Sequence, residues 1–363
     1  MREENGFQTP GATPTDRGPA AKHPMPTIQD VARRAGVSVA TVSRVLNGTV
    51  RVNPELAQRV HAAIQALQYR PSHAARSLRA RRSVTIGLLI SDLQNPFFTE
   101  LVRGVEDVAQ RNGYSLILCN SDEDAQKERQ YIEVLCAEHV AGAIVVPTRE
   151  RQGAMRRFGD HQIPVVAVDR RVRAPDIDAV LVDNVRGARE AVAHLIANGC
   201  RRIGLITGPL TTTTARERRE GYRQALHEAG IAHDPALERD GSFKEASGRL
   251  LASELLDVNA PIDALFMANN LLTLGALEEL HARHLRVPDD IAVVGFDEMP
   301  WAALSTVSLT TVTQPVYELG STAALRLFQR LHNPGALTRQ EIVLAPTLHI
   351  RGSSRPRAQA LPA

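Results

Sequence analysis

TIQDVARRAGVSVATVSRVLN, residues Thr27–Asn47, reads as two short helices joined by a tight turn. Thr27 is placed to N-cap the first helix, with Asp30 three residues on as the acid of a capping box. Val31, Ala32 and Ala35 share one helical face. Gly36 supplies the turn, since it takes a left-handed conformation without a Cβ clash. Val37 fits between the helices, Ser38 caps the second helix, and Val42, Val45 and Leu46 form that helix's buried face. Val39, Ala40, Ser43, Arg44 and Asn47 are left pointing outward. A helix with small residues and one arginine outward, braced by another across a short turn, suits the major groove of DNA. An ordinary helical hairpin with solvated arginines has the same spacing.

Working outward, Asn53-Pro54-Glu55 starts a third helix, with Asn as cap, Pro at the first helical position and an acid in the first turn. Leu56, Val60, Ala63, Ile64 and Leu67 form its apolar stripe, and Tyr69-Arg70-Pro71 ends it. The next stretch, SHAARSLRARRS (72–83), is basic, and Leu78 is its one large apolar residue. Alone it is too short and too poor in apolar surface to hold a helix. From Lys22 to Arg82 eleven bases face two acids, a balance of +9. The whole chain carries +3, so the remainder sums to −6. A basic end on an acidic body points to a polyanion bound by one module.

DVARRAGVSVATVSRVLN resembles the DNA-binding headpiece of the lactose-repressor (LacI/GalR) family of bacterial transcription regulators. The resemblance implies double-stranded DNA as partner, contacted by Thr27, Ser38, Val39, Ala40, Thr41, Ser43, Arg44, Asn47 and Tyr69. It makes the basic stretch a hinge helix that orders on operator DNA. There Ala75 and Leu78 match by their offset from Tyr69, and Leu78 is the wedge for a minor-groove base step.

The pattern changes at Ser83. SVTIGLLI is a β-branched apolar strand run, and strand signals then alternate with helical ones of ten to fifteen residues. That alternation means a parallel sheet covered on both faces. RSVTIGLLISD and RRIGLITGP open two similar halves. Two doubly wound lobes form a cleft at their strand C-termini, where open α/β sheets bind ligands. The fold class expected is therefore an all-α helix-turn-helix headpiece plus an α/β, two-lobed, periplasmic-binding-protein-like effector domain. The expected domains are an extension (1–25), the headpiece (26–70), the hinge (71–82), the effector and dimerisation domain (83–350) and a disordered tail (351–363).

Polar residues at the strand ends mark the cleft. Asp169 ends a Val-Val-Ala-Val strand, Asn269 ends LFMAN, Asp297 ends VVGFD and Gln314 sits in the crossover TTVTQP. The family resemblance makes Arg218 the ligand-clamping arginine, with Asp297 on the opposite side, and Phe243 an aromatic platform. Phe97 and Phe98 serve equally as stacking aromatics or as core. Carboxylates that accept, Arg and Asn that donate, and a ring to stack on suit a polyhydroxylated ligand. Where the family often carries Asn-Asp after the LFxA strand, this chain has Asn269-Asn270, which opens a sugar acid as well as a sugar.

Other classes fit less well. No GxGxxG follows the first strand, and no GxxxxGK[ST] or GxSxG occurs, so an enzyme is not expected. His194, His281 and His284 lie in helices without partners and read as surface or structural. Cys119, Cys136 and Cys200 show no metal spacing, and no metal or cofactor is expected. No apolar run reaches the roughly 18 residues of a membrane helix. Without a signal peptide at the N-terminus, a cytoplasmic location is expected rather than a transporter's binding protein. The C-terminal RGSSRPRAQALPA lacks leucine heptads, so a homodimer on a pseudo-palindromic operator is expected.

Overall fold

The computed structural model describes residues 26–47, 52–69, 83–150, 153–299, 302, 308–333, 335 and 338–355. It divides into two compact units, Met1–Arg81 and Arg82–Ala363. The hinge residues Ala75 and Leu78 lie outside the described residues.

The first unit holds α1 (Ile28–Ala35), α2 (Val39–Asn47) and α3 (Pro54–Ala66). The capping box of α1 is complete: Asp30 N donates to Thr27 Oγ1 at 3.3 Å, and Thr27 N donates to Asp30 Oδ2 at 2.9 Å. Gly36 closes α1 at φ 60°. Ser38 Oγ accepts from Thr41 N at 3.2 Å, which caps α2. Val31, Ala32, Ala35, Val42, Val60 and Ala63 are the core, with Val45, Leu46, Ile64 and Leu67 partly buried around it. Val39 also packs there. Expected to face outward, it is instead partly buried against that core.

The second unit opens with β1 (Thr85–Ile90), α4 (Pro96–Arg111), β2 (Ser115–Asn120), α5 (Ala125–Ala137), β3 (Ala143–Val145), α6 (Arg156–Asp160), β4 (Val165–Val168) and β5 (Asp178–Val182). It continues with α7 (Asn184–Ala197), β6 (Ile203–Thr207), α8 (Thr213–Glu228), β7 (Glu238–Asp240), α9 (Glu245–Leu256), β8 (Ala264–Met267), α10 (Asn270–Ala282), β9 (Ala292–Phe296) and β10 (Thr310–Thr313). Last come α11 (Val316–His332), β11 (Glu341–Leu344) and β12 (Thr347–His349).

Two six-stranded sheets result, in the orders β11-β5-β4-β3-β1-β2 and β12-β10-β9-β8-β6-β7. All pairings are parallel except β10 with β12. The chain passes between the lobes three times, after β5, after β10 and after β11. Consequently α7 packs on the second lobe and α11 on the first, against α4. That last packing is close: a Cβ on Gly104 would stand 2.3 Å from Tyr317 O, and one on Gly320 2.2 Å from Leu101 O. The strands β5, β7, β11 and β12 carry no strand signal in the sequence. These include sheet edges, whose partners lie far away in sequence.

The tail also differs from expectation. Gly352–Ser354 form a 3₁₀ turn, and Ser353 and Ser354 are fully buried. Ser354 Oγ meets His194 Nε2 at 2.8 Å and Thr310 Oγ1 at 2.6 Å, so His194 is a structural residue. The docked chain runs to Arg355, beyond the expected boundary at 350.

Asp178, the first residue of β5 and 1% exposed, fixes α11 to the first lobe. It accepts from Arg326 Nε at 2.8 Å, Arg330 Nε at 2.7 Å and Gln340 N at 2.7 Å. Burial alone would raise its pKa, but Arg330 and Arg326 overcome this and hold it at about 2, below the ordinary 3.8. A depressed carboxyl stabilises the fold above its unfolded pKa, and that contribution disappears as pH falls toward 2. Asp178→Asn should cost about 3 kcal/mol at pH 7, because two guanidiniums lose their counter-charge. Urea denaturation at pH 7 and pH 2.5 should show the gap between variant and wild type narrowing in acid.

Candidate functional site

Two candidate surfaces emerge, one in each unit. On the headpiece, Ala40 and Arg44 are exposed one turn apart on α2. Arg44 makes no ion pair among the described residues. Ser38 and Thr41 are joined at 2.9 Å between hydroxyls, and Thr27 is bonded to Asp30, so these three shape the helix starts as well as edging the surface. Ser43 and Tyr69 are half-buried, and Tyr69 packs against the core. One basic residue does not belong to this surface. Arg59 on α3 donates to Ala35 O at 2.6 Å and Gly36 O at 3.2 Å, closing the end of α1. Its position on a third helix gives no sequence signal of that task.

In the second unit all eight expected cleft residues come together. Phe97, Phe98, Asp169, Arg218, Phe243, Asn269, Asp297 and Gln314 line one cavity of about 30 Å³ between the lobes. Asp92, Asn95, Glu123, Arg170 and Thr214 complete the wall. Of these, Asn95 and Arg170 had a local signal. Asn-Pro starts a helix at a strand's end, and Arg170 follows Asp169 directly. Glu123 had none.

The two lobes contribute matching carboxylates. Asp169 follows β4 and Asp297 follows β9, at equivalent places in the two sheet orders. Both take left-handed backbone conformations, φ 68° and 72°. Each donates its backbone N–H to the neighbouring strand, at Val180 O and Val312 O. A non-glycine residue held there is strained, and such strain gathers at functional sites. The turn lifts each carboxylate off its strand end and into the cleft.

Phe97 and Phe98 are both core and cavity wall. They are 6% and 4% exposed and meet edge to face, with centroids 5.0 Å apart. Arg218 and Asp297 do not face each other across the cleft as expected. Both belong to the second lobe and pair at 3.5 Å. Arg218 Nε donates to Asn184 Oδ1 at 2.8 Å, Nη1 donates to Ala268 O, and the guanidinium lies 3.7 Å from the Phe296 ring centroid. Gln314 Nε2 donates to Asp297, while its buried Oε1 has no partner among the described residues. Asn269 caps α10 by accepting from Leu272 N at 2.8 Å.

Opposite, Arg170 grips Glu123 through two bonds of 2.7 and 2.6 Å. Its Nε stands 3.5 Å from Asp169 Oδ2, is buried, and makes no hydrogen bond among the described residues. Phe243 of the second lobe lies 5.6 Å from the Arg170 guanidinium. The substitution at Asn270 also has a cause here. Its Nδ2 donates to Asn95 Oδ1 at 2.9 Å, bridging the lobes. A carboxylate could not donate there, so the amide at this position is accounted for by a contact between the lobes. Among the described residues, no group of side chains could hold a metal ion, and no helix is long and apolar enough to cross a membrane.

Residues 27–72 match the family described as bacterial regulatory proteins, lacI family. Residues 83–347 match the periplasmic binding proteins and sugar binding domain of the LacI family. The chain belongs to the LacI family of bacterial transcriptional regulators. The ribose operon repressor of Halalkalibacterium halodurans is 40% identical over 311 residues, 85% of this chain and 91% of that protein. The lac repressor dimer bound to operator and the anti-inducer ONPF shares the fold with a TM-score of 0.79 at 28% identity, over 91% of this chain and 99% of that one. A LacI family regulator from Enterococcus faecium with bound ribose aligns with a TM-score of 0.68 at 30% identity, over 76% of this chain and all of that one.

The cavity between the lobes thus lies within the matched domain and is lined by buried charges. Burial lifts the Asp169 carboxyl from 3.8 to about 6, against the pull of Arg170 and Arg218, with Asp297 and Glu123 adding to the rise. A carboxyl raised in the folded state stabilises below its unfolded pKa, and that contribution is lost as pH rises through 6. Asp169→Asn keeps the shape and tolerates the left-handed backbone. It should stabilise the sugar-free protein by on the order of 2 kcal/mol at pH 7.5 and hardly at all at pH 4, as read by denaturant unfolding.

Proposed function

We propose that this LacI-family regulator is a repressor whose effector is a neutral monosaccharide, with D-ribose as the first choice. The charge count at the cleft carries the reading. Four carboxylates, Asp92, Glu123, Asp169 and Asp297, line the cavity against two guanidiniums, Arg170 and Arg218, and Lys244 reaches Asp92 from outside it, so one carboxylate stays in excess. A sugar acid would add a further negative charge to a wall already in excess, whereas neutral hydroxyls donate to carboxylates at no such cost. The bare Nε of Arg170 and the bare Oε1 of Gln314 give a hydroxyl both a donor and an acceptor. Phe97, Phe98 and Phe243 supply apolar faces for the ring. The similarity to ribose operon repressors and to a ribose-bound regulator supports ribose among the neutral sugars.

The domain assignment follows the same reading. Residues 26–70 bind DNA, 71–82 form the hinge with Ala75 and Leu78 at the minor groove, and 83–350 bind effector and dimerise. The similar lac repressor is a dimer on its operator, and two headpieces of one dimer require two half-sites. The protein works in the cytoplasm and catalyses no reaction. On the headpiece, Arg44 reads a base, with Ser38, Val39, Ala40, Thr41, Ser43 and Asn47 shaping the surface around it and Thr27 and Tyr69 at its edges.

A thermal-shift comparison tests the effector. D-ribose at 100 times its Kd should stabilise the protein by about 2.7 kcal/mol, while D-ribonate and D-gluconate at equal concentration should not. Arg218→Ala should abolish the ribose shift and leave operator affinity without sugar intact. A response to the acids would overturn the neutral-sugar reading, and a ribose shift that survives the substitution would place the effector elsewhere. For the headpiece, Arg44→Ala should cost about 1–3 kcal/mol on operator DNA and far less on random DNA. Equal losses on both would reduce Arg44 to a phosphate contact.

A further inference from the structure

We propose that Lys244 is an electrostatic latch on the mouth of the effector cleft and sets how long a bound effector stays. The proposal rests on the cleft being the effector site. Topology locates the mouth. The crossovers run from β5 into α7, from β10 into α11 and from β11 to β12, with β11 and β12 at one edge of the two sheets and β2 and β7 at the other. The covalent connections thus lie toward the β11 and β12 edge, which places the mouth on the β2 and β7 side. Lys244 ends the loop after β7, on the second lobe. Its Nζ donates to Asp122 Oδ1 in the loop after β2, and to Asp92 Oδ2 in the loop after β1, both at 2.9 Å. One ammonium thus bridges the lobes at the edge farthest from their covalent connections.

The acceptors are built for this contact. Asp122 and Glu123 stand side by side in left-handed conformations, φ 54° and 59°. Two successive non-glycine residues there carry strain that other contacts must offset. The turn sends Asp122 to Lys244 and Glu123 to Arg170 on the cavity wall. Asp92 is only 4% exposed and lines the cavity. Its Oδ1 holds its own loop through Gln94 N at 3.0 Å, which leaves Oδ2 for Lys244. In the closed protein Lys244 is the cation that compensates this buried carboxylate, and a buried charge needs one. Lys127, 3.6 Å from Asp122, is a second cation at the same turn but stays within the first lobe. Lys244 itself is one-third exposed, so salt reaches the latch.

Two measurements on the full chain decide the matter. The first is dissociation of radiolabelled D-ribose, chased by unlabelled sugar at low and high salt. Lys244→Met should release ribose roughly three to ten times faster than wild type, as loss of a pair of surface-accessible ion pairs implies. Salt should accelerate release from wild type and not from Lys244→Met, and Lys244→Arg should restore slow release. The second is amide hydrogen exchange without sugar. The N–H groups of Glu123, bonded to Ser91 O, and of Leu93, bonded to Asn120 Oδ1, should exchange faster in Lys244→Met while the strand interiors stay unchanged. Unaltered exchange at both amides, or ribose release with the wild-type salt response, would overturn the latch. If wild type binds no D-ribose, the effector reading fails, and the exchange measurement alone decides for or against the latch.

Discussion

A guanidinium buried to 3% exposure has to be surrounded before a fold can keep it, and Arg218 organises the second lobe on those terms. Its partners arrive from three separate places. Asn184 heads α7 just after the first crossover, Ala268 follows β8, and Phe296 ends β9 with Asp297 next to it. Removing any one would leave a charge in low dielectric with a contact unmade, which is costly. Asn184 extends the network, since its Nδ2 donates to Glu217, and Glu217 pairs with Arg171 of the first lobe. The cavity's arginine is therefore tied, through one amide, to the place where the chain changes lobes.

The first lobe meets this with a different balance. Arg170 answers Glu123, and Lys244 answers Asp92, which leaves Asp169 as the carboxylate without a full partner. Its raised pKa states the same fact as energy: ionising it in this cavity is unfavourable until something else donates to it. A neutral ligand with several hydroxyls is the kind of molecule that relieves such a site. The cavity is small, and the lobes are joined across it by Asn270 with Asn95 and by Arg216 with Glu150 at 2.6 Å.

Much of this was legible in the linear chain because the signals are local. A capped hairpin with glycine at the turn needs only neighbouring residues, and its core and caps fall where the spacing of Thr27 to Asn47 places them. Val39 and Arg59 are the exceptions there, and both are decided by the third helix, which lies outside that stretch. In the body, polar residues at the ends of apolar strand runs mark the cleft, because a parallel sheet gathers its strand C-termini along one edge. That rule needs no knowledge of which strands are neighbours, and it places Asp169, Asn269 and Asp297 together.

What the tertiary structure alone decided is who faces whom. Sequence determined the headpiece, the alternation of strands and helices, and the polar character of the cleft, since each depends on periodicity or on a strand's end. It did not determine that Arg218 and Asp297 share a wall, that Glu123 reaches Arg170, or that Lys244 spans the mouth, because those pairs join residues 47 to 152 positions apart. Nor did it reveal β5, β11 and β12, short segments whose hydrogen bonds are made only once the chain has crossed between lobes. A contact across a cleft is set by how two finished sheets are oriented, and no local pattern of side chains records that orientation.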